Sequence, residues 1–304
     1  MQNKNLSIFL ERKIIKMLFL GFSSGLPILL VFSTLSVWLV SAGIDRSTVT
    51  LFSWAGFAYA FKYLWSPIVD NFKIPFFRNL GHRRSWLLFA QLMIILSLVA
   101  ISFTDPSKSL IPISITITFL AIFSATQDIV IDAYRIESAP QNLQGPLSSM
   151  YIAGYRLAML VGGAGSLWIA SYLGGETYNQ TVWKVVYLSM AILMTTGMIT
   201  TILSKEPRIK KKKFLKVNEH TKFLFVFIIA LIGFIYLYNI IENPFLTNEI
   251  IKKFIFSIIR ISLCFIFSGL IISLSININF ISKKKTSKIY IEPLSDFTNR
   301  YGKF

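Results

Sequence analysis

The sequence predicts an all-α integral membrane protein with about eight transmembrane helices. Of the 304 residues, 54% are hydrophobic and only 15% are charged, whereas about 25% of the residues in an ordinary soluble domain are charged. The apolar residues also form long blocks separated by short polar joints, without the periodic pattern of a half-exposed element. Because a bilayer core about 30 Å thick is crossed by roughly 20 mostly apolar helical residues, each block is long enough to span a membrane.

Each block is expected to be helical, because a helix pairs its own backbone amides and an unpaired amide in lipid costs several kcal/mol. The eight predicted spans are residues 17–40, 48–70, 85–104, 110–132, 147–173, 182–203, 222–241 and 254–280. They divide the chain into a six-helix unit (1–204), a basic linker (205–221), two further transmembrane helices (222–280) and a basic tail (281–304).

The basic residues predict how the spans are oriented. With the N-terminus inside, 23 of the 31 Lys and Arg residues fall on the cytoplasmic side and five on the other side. By the positive-inside rule, both termini are therefore expected to be cytoplasmic. The run Lys210–Lys213 lies between two spans, so we interpret it as a topogenic segment near anionic lipid rather than as a nucleic-acid site.

No catalytic site, cofactor or metal is predicted. Residues 21–25 match the G-x-S-x-G pattern of serine hydrolases, but that motif requires a strand-to-helix turn and a histidine base. The two histidines, His82 and His220, lie in polar joints. We expect Gly21 and Gly25 to permit close helix packing instead. A similar stripe of small residues runs along the fifth block at four-residue intervals: Gly154, Ala158, Gly162 and Ser166.

Charged side chains within the spans are the candidate functional residues. A charge near the middle of a bilayer costs about 2.5–3.5 kcal/mol on insertion scales, so it needs a partner or a wet cavity. Lys62 lies in the second block, on one helical face with Tyr59. Asp128 and Asp132 are four residues apart in the fourth block, and Arg156 lies near the middle of the fifth.

Two interpretations of these charges stay open. In the first, Lys62 and Arg156 balance Asp128 and Asp132 and lock the helices together. In the second, the charges line a polar pathway through the bundle. The permanently charged fork of Arg156 suits a substrate carboxylate, and an aspartate whose pKa is raised by desolvation can bind and release a proton. We favour the pathway, which does not exclude pairing.

The joint after the second block resembles a known element. It begins with Asp70 and Asn71 and, after a short insertion, ends with Leu80-Gly81-His82-Arg83-Arg84. This resembles the D-R-x-G-R-R element of the major facilitator superfamily, with Asn71 in place of the basic residue. In that family the element helps to govern opening and closing on the cytoplasmic side. The resemblance therefore implies a gating loop formed by Asp70, Gly81, Arg83 and Arg84.

Further segments are similar to the AmpG-type muropeptide permeases within that superfamily. The similar segments are residues 21–27, 61–67, 125–135, 150–151 and 154–156. They occur in the same order, and the resemblance covers about residues 15–207. It implies a six-helix major-facilitator half bundle, followed by the two additional transmembrane helices that AmpG-type members insert between their halves.

The resemblance implies proton-driven import of anhydro-muropeptides across a bacterial inner membrane for cell-wall recycling. These solutes are disaccharides with a peptide stem whose carboxylates need cationic partners. The implied substrate-binding residues are Arg156, Lys62, Tyr59, Tyr155 and Gln127. Asp128 and Asp132 are the implied proton-coupling residues. The alternatives are transport of another small solute on the same scaffold, and a membrane fragment that transports nothing.

The sequence also departs from the family pattern. Family members have two six-helix halves, and residues 292–302 resemble the stretch that leads into the second half. Half of a cavity cannot alternate its access by rocking against itself. We therefore expect either a truncated, inactive form, which we favour, or a chain that pairs with a separately encoded second half or a second copy.

Overall fold

The computed structural model describes residues 8–74, 80–174, 178–207, 217–242, 244, 250–282, 287, 292 and 295. Most of the predicted linker (208–216) and of the predicted tail lies outside the described residues. The chain divides into two compact units, Met1–Val69 with Lys73–Lys212 and Asp70–Phe72 with Lys213–Phe304. Each unit is described by itself.

The described residues are arranged as twelve helices with short connections. In chain order they are α1 (Arg12–Val31), α2 (Ser33–Ser41), α3 (Arg46–Leu51), α4 (Gly56–Ala60), α5 (Ser66–Asn71), α6 (His82–Ser102), α7 (Ile111–Ser138), α8 (Gln144–Leu160), α9 (Ser166–Gly174), α10 (Gln180–Leu203), α11 (Val217–Ile240) and α12 (Ile250–Asn277). Tighter 3-10 turns occupy Phe52–Ala55, Lys62–Leu64 and Gln141–Leu143, and a π-helical turn, Val161–Gly165, joins α8 to α9.

Within the described parts of the chain, six helical stretches are long and apolar enough to cross a membrane. They are Arg12–Ser41, His82–Ser102, Ile111–Ser138, Gln141–Gly174, Gln180–Leu203 and Phe254–Asn277, with mean hydropathies of 1.4 to 2.4. They confirm six of the eight predicted spans and a multi-pass membrane protein. The predicted count of eight is not confirmed: the second block is broken into short helices, and the seventh block lies in α11, of which the fully described apolar part, Phe225–Ile240, is shorter than 18 residues.

The second predicted span, 48–70, is a succession of short helical segments. The backbone leaves the helical region at Phe61 (φ −101°, ψ 11°), and the 3-10 turn that follows, Lys62–Leu64, ends at Trp65. Pro67 has no N–H to donate to the carbonyl four residues earlier. That carbonyl, of Tyr63, instead accepts a hydrogen bond of 3.1 Å from the Ser66 hydroxyl. Hydropathy does not register such breaks, so the block looks continuous in the sequence.

The second unit is a pair of packed helices, α11 and α12. The described apolar part of α11, Phe225–Ile240, is shorter than a full span. Ser268 donates a 3.0 Å hydrogen bond to the Ala230 carbonyl oxygen between the two helices. The guanidinium of Arg260 lies 3.7 Å from the centroid of the Tyr238 ring, which gives this intramembrane cation a partner.

Glycines bring α1 and α8 into backbone contact in the first unit. A Cβ atom on Gly21 would collide with the carbonyl oxygen of Tyr151, and one on Gly25 with that of Tyr155. On the opposite helix, a Cβ on Gly154 would collide with the carbonyl oxygen of Leu18. The predicted close packing at these glycines is therefore confirmed.

Both partners of this helix pair are irregular beyond the glycine contact. The break between α1 and α2 lies at Phe32 (φ −108°, ψ −86°), and the π-helical turn interrupts the fifth span. The Thr34 hydroxyl donates a 2.9 Å hydrogen bond to the Gly162 carbonyl oxygen, so the two irregularities are joined to each other. A π turn is often found at a functional site.

The two ends of the first unit differ in charge. We call the end with residues 80–84, 135–143 and 204–207 the basic end, and the end with residues 42–45, 103–110 and 178–180 the opposite end. At the opposite end, Asp105 accepts a 2.9 Å hydrogen bond from the Tyr178 hydroxyl. Burial raises the pKa of Asp105, but hydrogen bonds from Ser107 and Tyr178 outweigh it and hold that pKa below its usual value.

The glycine contact gives a direct test of the α1–α8 packing. The substitution Gly154→Ala should destabilise the protein by about 1–3 kcal/mol, because the added methyl group overpacks a backbone contact. Thermal unfolding of the detergent-solubilised protein measures the loss. Gly145→Ala is the matched control in the same helix, because its Cβ would meet nothing within 4 Å. Equal effects of the two substitutions would contradict the packing.

Candidate functional site

Three spans and the broken second segment meet at a buried carboxylate in the first unit. Asp128 on α7 is 7% exposed and accepts a hydrogen bond from the Ser24 hydroxyl on α1. The ammonium group of Lys62 lies 3.6 Å from Oδ2 of Asp128. The hydroxyls of Ser24 and Tyr151, the latter on α8, are 2.9 Å apart. We call these four residues the Asp128 cluster.

Two further tyrosines border this cluster. The hydroxyl of Tyr59 is buried beside Ser124, one turn before Asp128 on α7. The ring centroids of Tyr151 and Tyr155 are 6.0 Å apart. Of the residues predicted to bind substrate, Lys62, Tyr59 and Tyr155 are therefore at or beside the Asp128 cluster.

Gln127 is fully buried and faces a different set of partners. Its amide nitrogen lies 3.4 Å from the Ser23 hydroxyl oxygen on α1. A second buried amide, Gln91 on α6, accepts a 3.0 Å hydrogen bond from the Thr201 hydroxyl on α10. The structure thus places Gln127 among interior polar contacts between helices and not beside Lys62.

Asp132 lies one turn beyond Asp128 and has its own cation. Its Oδ1 is 3.4 Å from Nη2 of Arg135, and its side chain is 46% exposed. Arg135 in turn donates a hydrogen bond to the Ser148 hydroxyl on α8. The hypothesis that Lys62 and Arg156 balance the two aspartates holds for Lys62, which contacts Asp128. It is wrong for Arg156, because the cation that contacts Asp132 is Arg135.

Arg156 stands apart from both aspartates. It is exposed on α8, and its Nη1 lies 3.7 Å from the sulfur of Met159. The span that carries it, Gln141–Gly174, is only 22% buried, compared with 61% for Arg12–Ser41. The face of α8 that carries Arg156 is therefore open in this unit.

The predicted gating residues lie in a set of contacts at the basic end. Glu206 accepts hydrogen bonds from the backbone N–H groups of Arg83 (2.8 Å) and Arg84 (3.1 Å) at the start of α6. A carboxylate is favourable there, because the first N–H groups of a helix have no partner within it. Gly81 has φ +96°, and a Cβ at this position would collide with the Glu206 side chain. Only glycine suits both the backbone angle and this approach.

Two side chains from the same joint hold neighbouring spans. Arg83, which is 1% exposed, donates to both carboxylate oxygens of Glu137 on α7, at 2.8 and 2.7 Å. Arg84 donates to the carbonyl oxygens of Thr201 (3.1 Å) and Ile202 (2.7 Å) at the end of α10. We call Arg83, Arg84, Glu137 and Glu206 the clasp. Asp70, the fourth predicted gating residue, is half-buried in α5.

Sequence reasoning missed Ser24, Tyr151, Glu137 and Glu206. Ser24 lies in the permease-like segment 21–27 and Tyr151 in the permease-like segment 150–151, but neither was predicted to be a site residue. Glu137 and Glu206 flank the spans on the side where the basic joint was expected. Two acidic residues beside an arginine-rich joint indicate ion pairs, and this pattern is visible in the sequence.

Comparison with known proteins identifies the family of the chain. The family model of the Major Facilitator Superfamily matches residues 11–291. The chain is 37% identical over 206 residues to "Putative transporter AmpG 4" of Rickettsia felis, covering 68% of this chain and 48% of the relative. It is 38% identical over 208 residues to the "Anhydromuropeptide permease" of Escherichia coli K12, covering 68% and 40%.

The chain belongs to the Major Facilitator Superfamily, a family of transporters. Within that family it is similar to AmpG-named proteins, and the predicted resemblance is confirmed. The chain spans about half the length of the curated relatives it matches.

The buried pair of the clasp makes a testable prediction. Glu137→Gln should destabilise the protein by about 3 kcal/mol, because it leaves the buried Arg83 without its counter-charge. Replacing both residues by leucine should cost less, since no unpaired charge remains. Thermal unfolding in detergent measures both. Lys108→Gln is the control, because the side chain of Lys108 is 83% exposed and its ammonium group lies 3.9 Å from Asp105, and the expected loss for such a solvent-exposed cation is below about 1 kcal/mol. A double variant less stable than Glu137→Gln would contradict this account of the pair.

Proposed function

We propose that this protein serves the import of anhydro-muropeptides across a bacterial inner membrane, driven by the proton gradient. The observation that carries the proposal is the Asp128 cluster, an ion pair where three spans and the second segment meet in a chain of a transporter family. Its similarity to an anhydromuropeptide permease supports the solute class. The feature that favours a transporter over a purely structural membrane protein is Arg156, whose guanidinium is exposed within a membrane span.

The chemistry of the Asp128 cluster suits coupled exchange of a proton and an anionic solute. Asp128 has one neutral donor, Ser24, and one cation, Lys62, whose side chain is 35% exposed. A solute carboxylate that reaches Lys62 competes with Asp128 for the ammonium group. Protonation of Asp128 removes that competition, so proton binding and solute binding favour each other. Ser24 and Tyr151 hold Asp128 in place and can donate to either form of the site.

Arg156 supplies a second cation for the same solute. An exposed guanidinium inside a membrane span is costly against lipid, so the open face of α8 is proposed to meet water or further protein. A peptide stem carries more than one carboxylate, and Lys62 and Arg156 lie on different helices. Asp132, paired with Arg135, is the second candidate for proton coupling. Gln127 is proposed to support the site from within the bundle.

The clasp is proposed to control opening at the basic end. It joins the start of α6 to the ends of α7 and α10 through one arginine–glutamate pair and one carboxylate cap. Such a set of contacts is either made or broken as a whole. The open face of α8 is proposed to be completed by a second half, a second copy or a separately encoded chain, since the chain spans about half the length of its relatives.

Uptake into vesicles tests the proposed function. Membrane vesicles containing the full chain should accumulate labelled anhydro-muropeptide, and dissipating the pH gradient should abolish accumulation. Asp128→Asn should reduce uptake at least tenfold, since the site loses its titratable group. Lys108→Gln, an exposed cation at the opposite end, should leave uptake unchanged. Accumulation of an unrelated solute would support a different substrate, and no gradient-driven uptake of any solute would contradict transport by this chain.

A double variant distinguishes transport chemistry from simple helix locking. Lys62→Gln with Asp128→Asn removes both charges and leaves neither unpaired. If the pair only locks the helices, this variant should recover the stability and uptake lost in either single variant. We expect recovery of stability without recovery of uptake, because neither a proton nor a carboxylate has a partner in the neutral site. Thermal unfolding and vesicle uptake are measured on the same preparations.

We propose that the basic end of the first unit faces the cytoplasm, and cysteine labelling tests this orientation. In a Cys264→Ala background, Lys205→Cys marks the basic end and Lys108→Cys marks the opposite end, and both positions are exposed. A membrane-impermeant maleimide should label Lys108→Cys in spheroplasts and Lys205→Cys only after permeabilisation. The reverse pattern would place the basic end outside and contradict the proposal.

A further inference from the structure

A groove lies between the first span and the second segment, towards the opposite end of the first unit. Its volume is about 360 Å³, which is within the range of small-molecule sites. One wall comes from the outer part of the first span and the other from α3 and the 3-10 turn after it. The lining residues with apolar side chains are Val31, Phe32, Val40, Val49 and Phe52.

The polar lining of the groove is one cation and three hydroxyls. The hydroxyls belong to Ser36, Thr50 and Ser53, and the cation is Arg46. The neighbouring acid, Asp45, is engaged elsewhere: it accepts from Thr48 through the backbone N–H (2.9 Å) and the hydroxyl (2.7 Å). Hydrogen bonds from Ser47 and Thr48 lower the pKa of Asp45 to about 2. Within the described chain, Arg46 has no carboxylate in ion-pair contact.

The groove adjoins the Asp128 cluster through one pair of aromatic rings. Phe32 lines the groove, and its ring centroid is 6.1 Å from that of Tyr59. Tyr59 is the tyrosine that borders the Asp128 cluster from the second segment. Phe32 is also the residue at which the first span breaks, so its ring occupies a position that a continuous helix would not give it. The side chain of Tyr59 thus connects the groove to the Asp128 cluster.

We propose that this groove is a second subsite for the transported solute, in which Arg46 binds a carboxylate of its peptide stem. The proposal rests on the proposed function and adds a residue and a contact to it. A disaccharide with a peptide stem is too large for 360 Å³, so a single solute extends beyond the groove towards Lys62. The rings of Phe32 and Phe52 offer apolar faces to sugar or peptide, and the hydroxyls offer acceptors.

Binding by the full-length protein in detergent tests the subsite. The probes are an anhydro-muropeptide, the same anhydro-disaccharide with its lactyl carboxyl group capped as an uncharged amide in place of the peptide, and the free stem peptide. Arg46→Gln should weaken binding of both peptide-bearing probes about tenfold or more, because the charge-assisted hydrogen bond to their carboxylate is lost. Binding of the disaccharide should stay within about twofold, since it has no peptide carboxylate for Arg46 to bind. Arg46→Lys should recover part of the loss. Lys184→Gln, at a cation outside the groove, should change none of the three affinities.

A labelling experiment locates the bound peptide independently of transport. In the Cys264→Ala background, Ser53→Cys places a thiol in the groove. The free stem peptide should slow its reaction with a maleimide at least threefold, and Arg46→Gln should remove that protection. Protection and an Arg46 effect without vesicle uptake would uphold the subsite and contradict only transport. Uptake with no Arg46 effect, or protection by anionic phospholipid but not by the peptide, would overturn the subsite.

Discussion

The charge of Asp128 is the constraint around which the first unit is organised. Hydrocarbon does not accept an isolated carboxylate, so its donors and its cation have to come from the helices around it. Ser24, Lys62 and Tyr151 arrive from three different spans. Each of these side chains reaches the cluster at only one rotation of its segment about the segment's own axis and at only one depth in the membrane. A single buried charge thus helps to fix how four helices are aligned.

The same unit combines contacts that resist motion with places that permit it. Glycines hold the backbones of α1 and α8 together near Tyr151 and Tyr155, where any side chain would separate the helices. Beyond this contact, both spans lose regular geometry, at Phe32 and at the π turn. The Asp128 cluster lies beside the rigid part and the groove beside the irregular part. Bending of the outer segments could therefore change the groove while leaving the ion pair in place.

The sequence predicts part of this structure because lipid restricts the amino-acid composition of the segments that cross it. Six spans follow from hydropathy, and a partner for Asp128 follows from the cost of a charge in lipid. The broken second segment does not follow, since its breaks depend on Pro67 and on local hydrogen bonds at constant hydropathy. Ser24 gave no signal, because a lone hydroxyl is tolerated in any helix. The partner of Asp132 is Arg135, three residues later on the same helix, so residue spacing alone was enough to predict this pair.

The exposure of Arg156 bears on the pathway more directly than the buried pair does. A pair such as Lys62 and Asp128 satisfies itself and is compatible with a purely structural role. An exposed guanidinium in the least buried span of the first unit satisfies no structural need within that unit. Its cost in lipid is avoided only against water, an anion or another protein. Arg46, also cationic and without an acid in contact among the residues that the structure describes, lies by the groove. Two cations open to a ligand are what a carboxylate-bearing solute requires, whereas a helix lock needs neither.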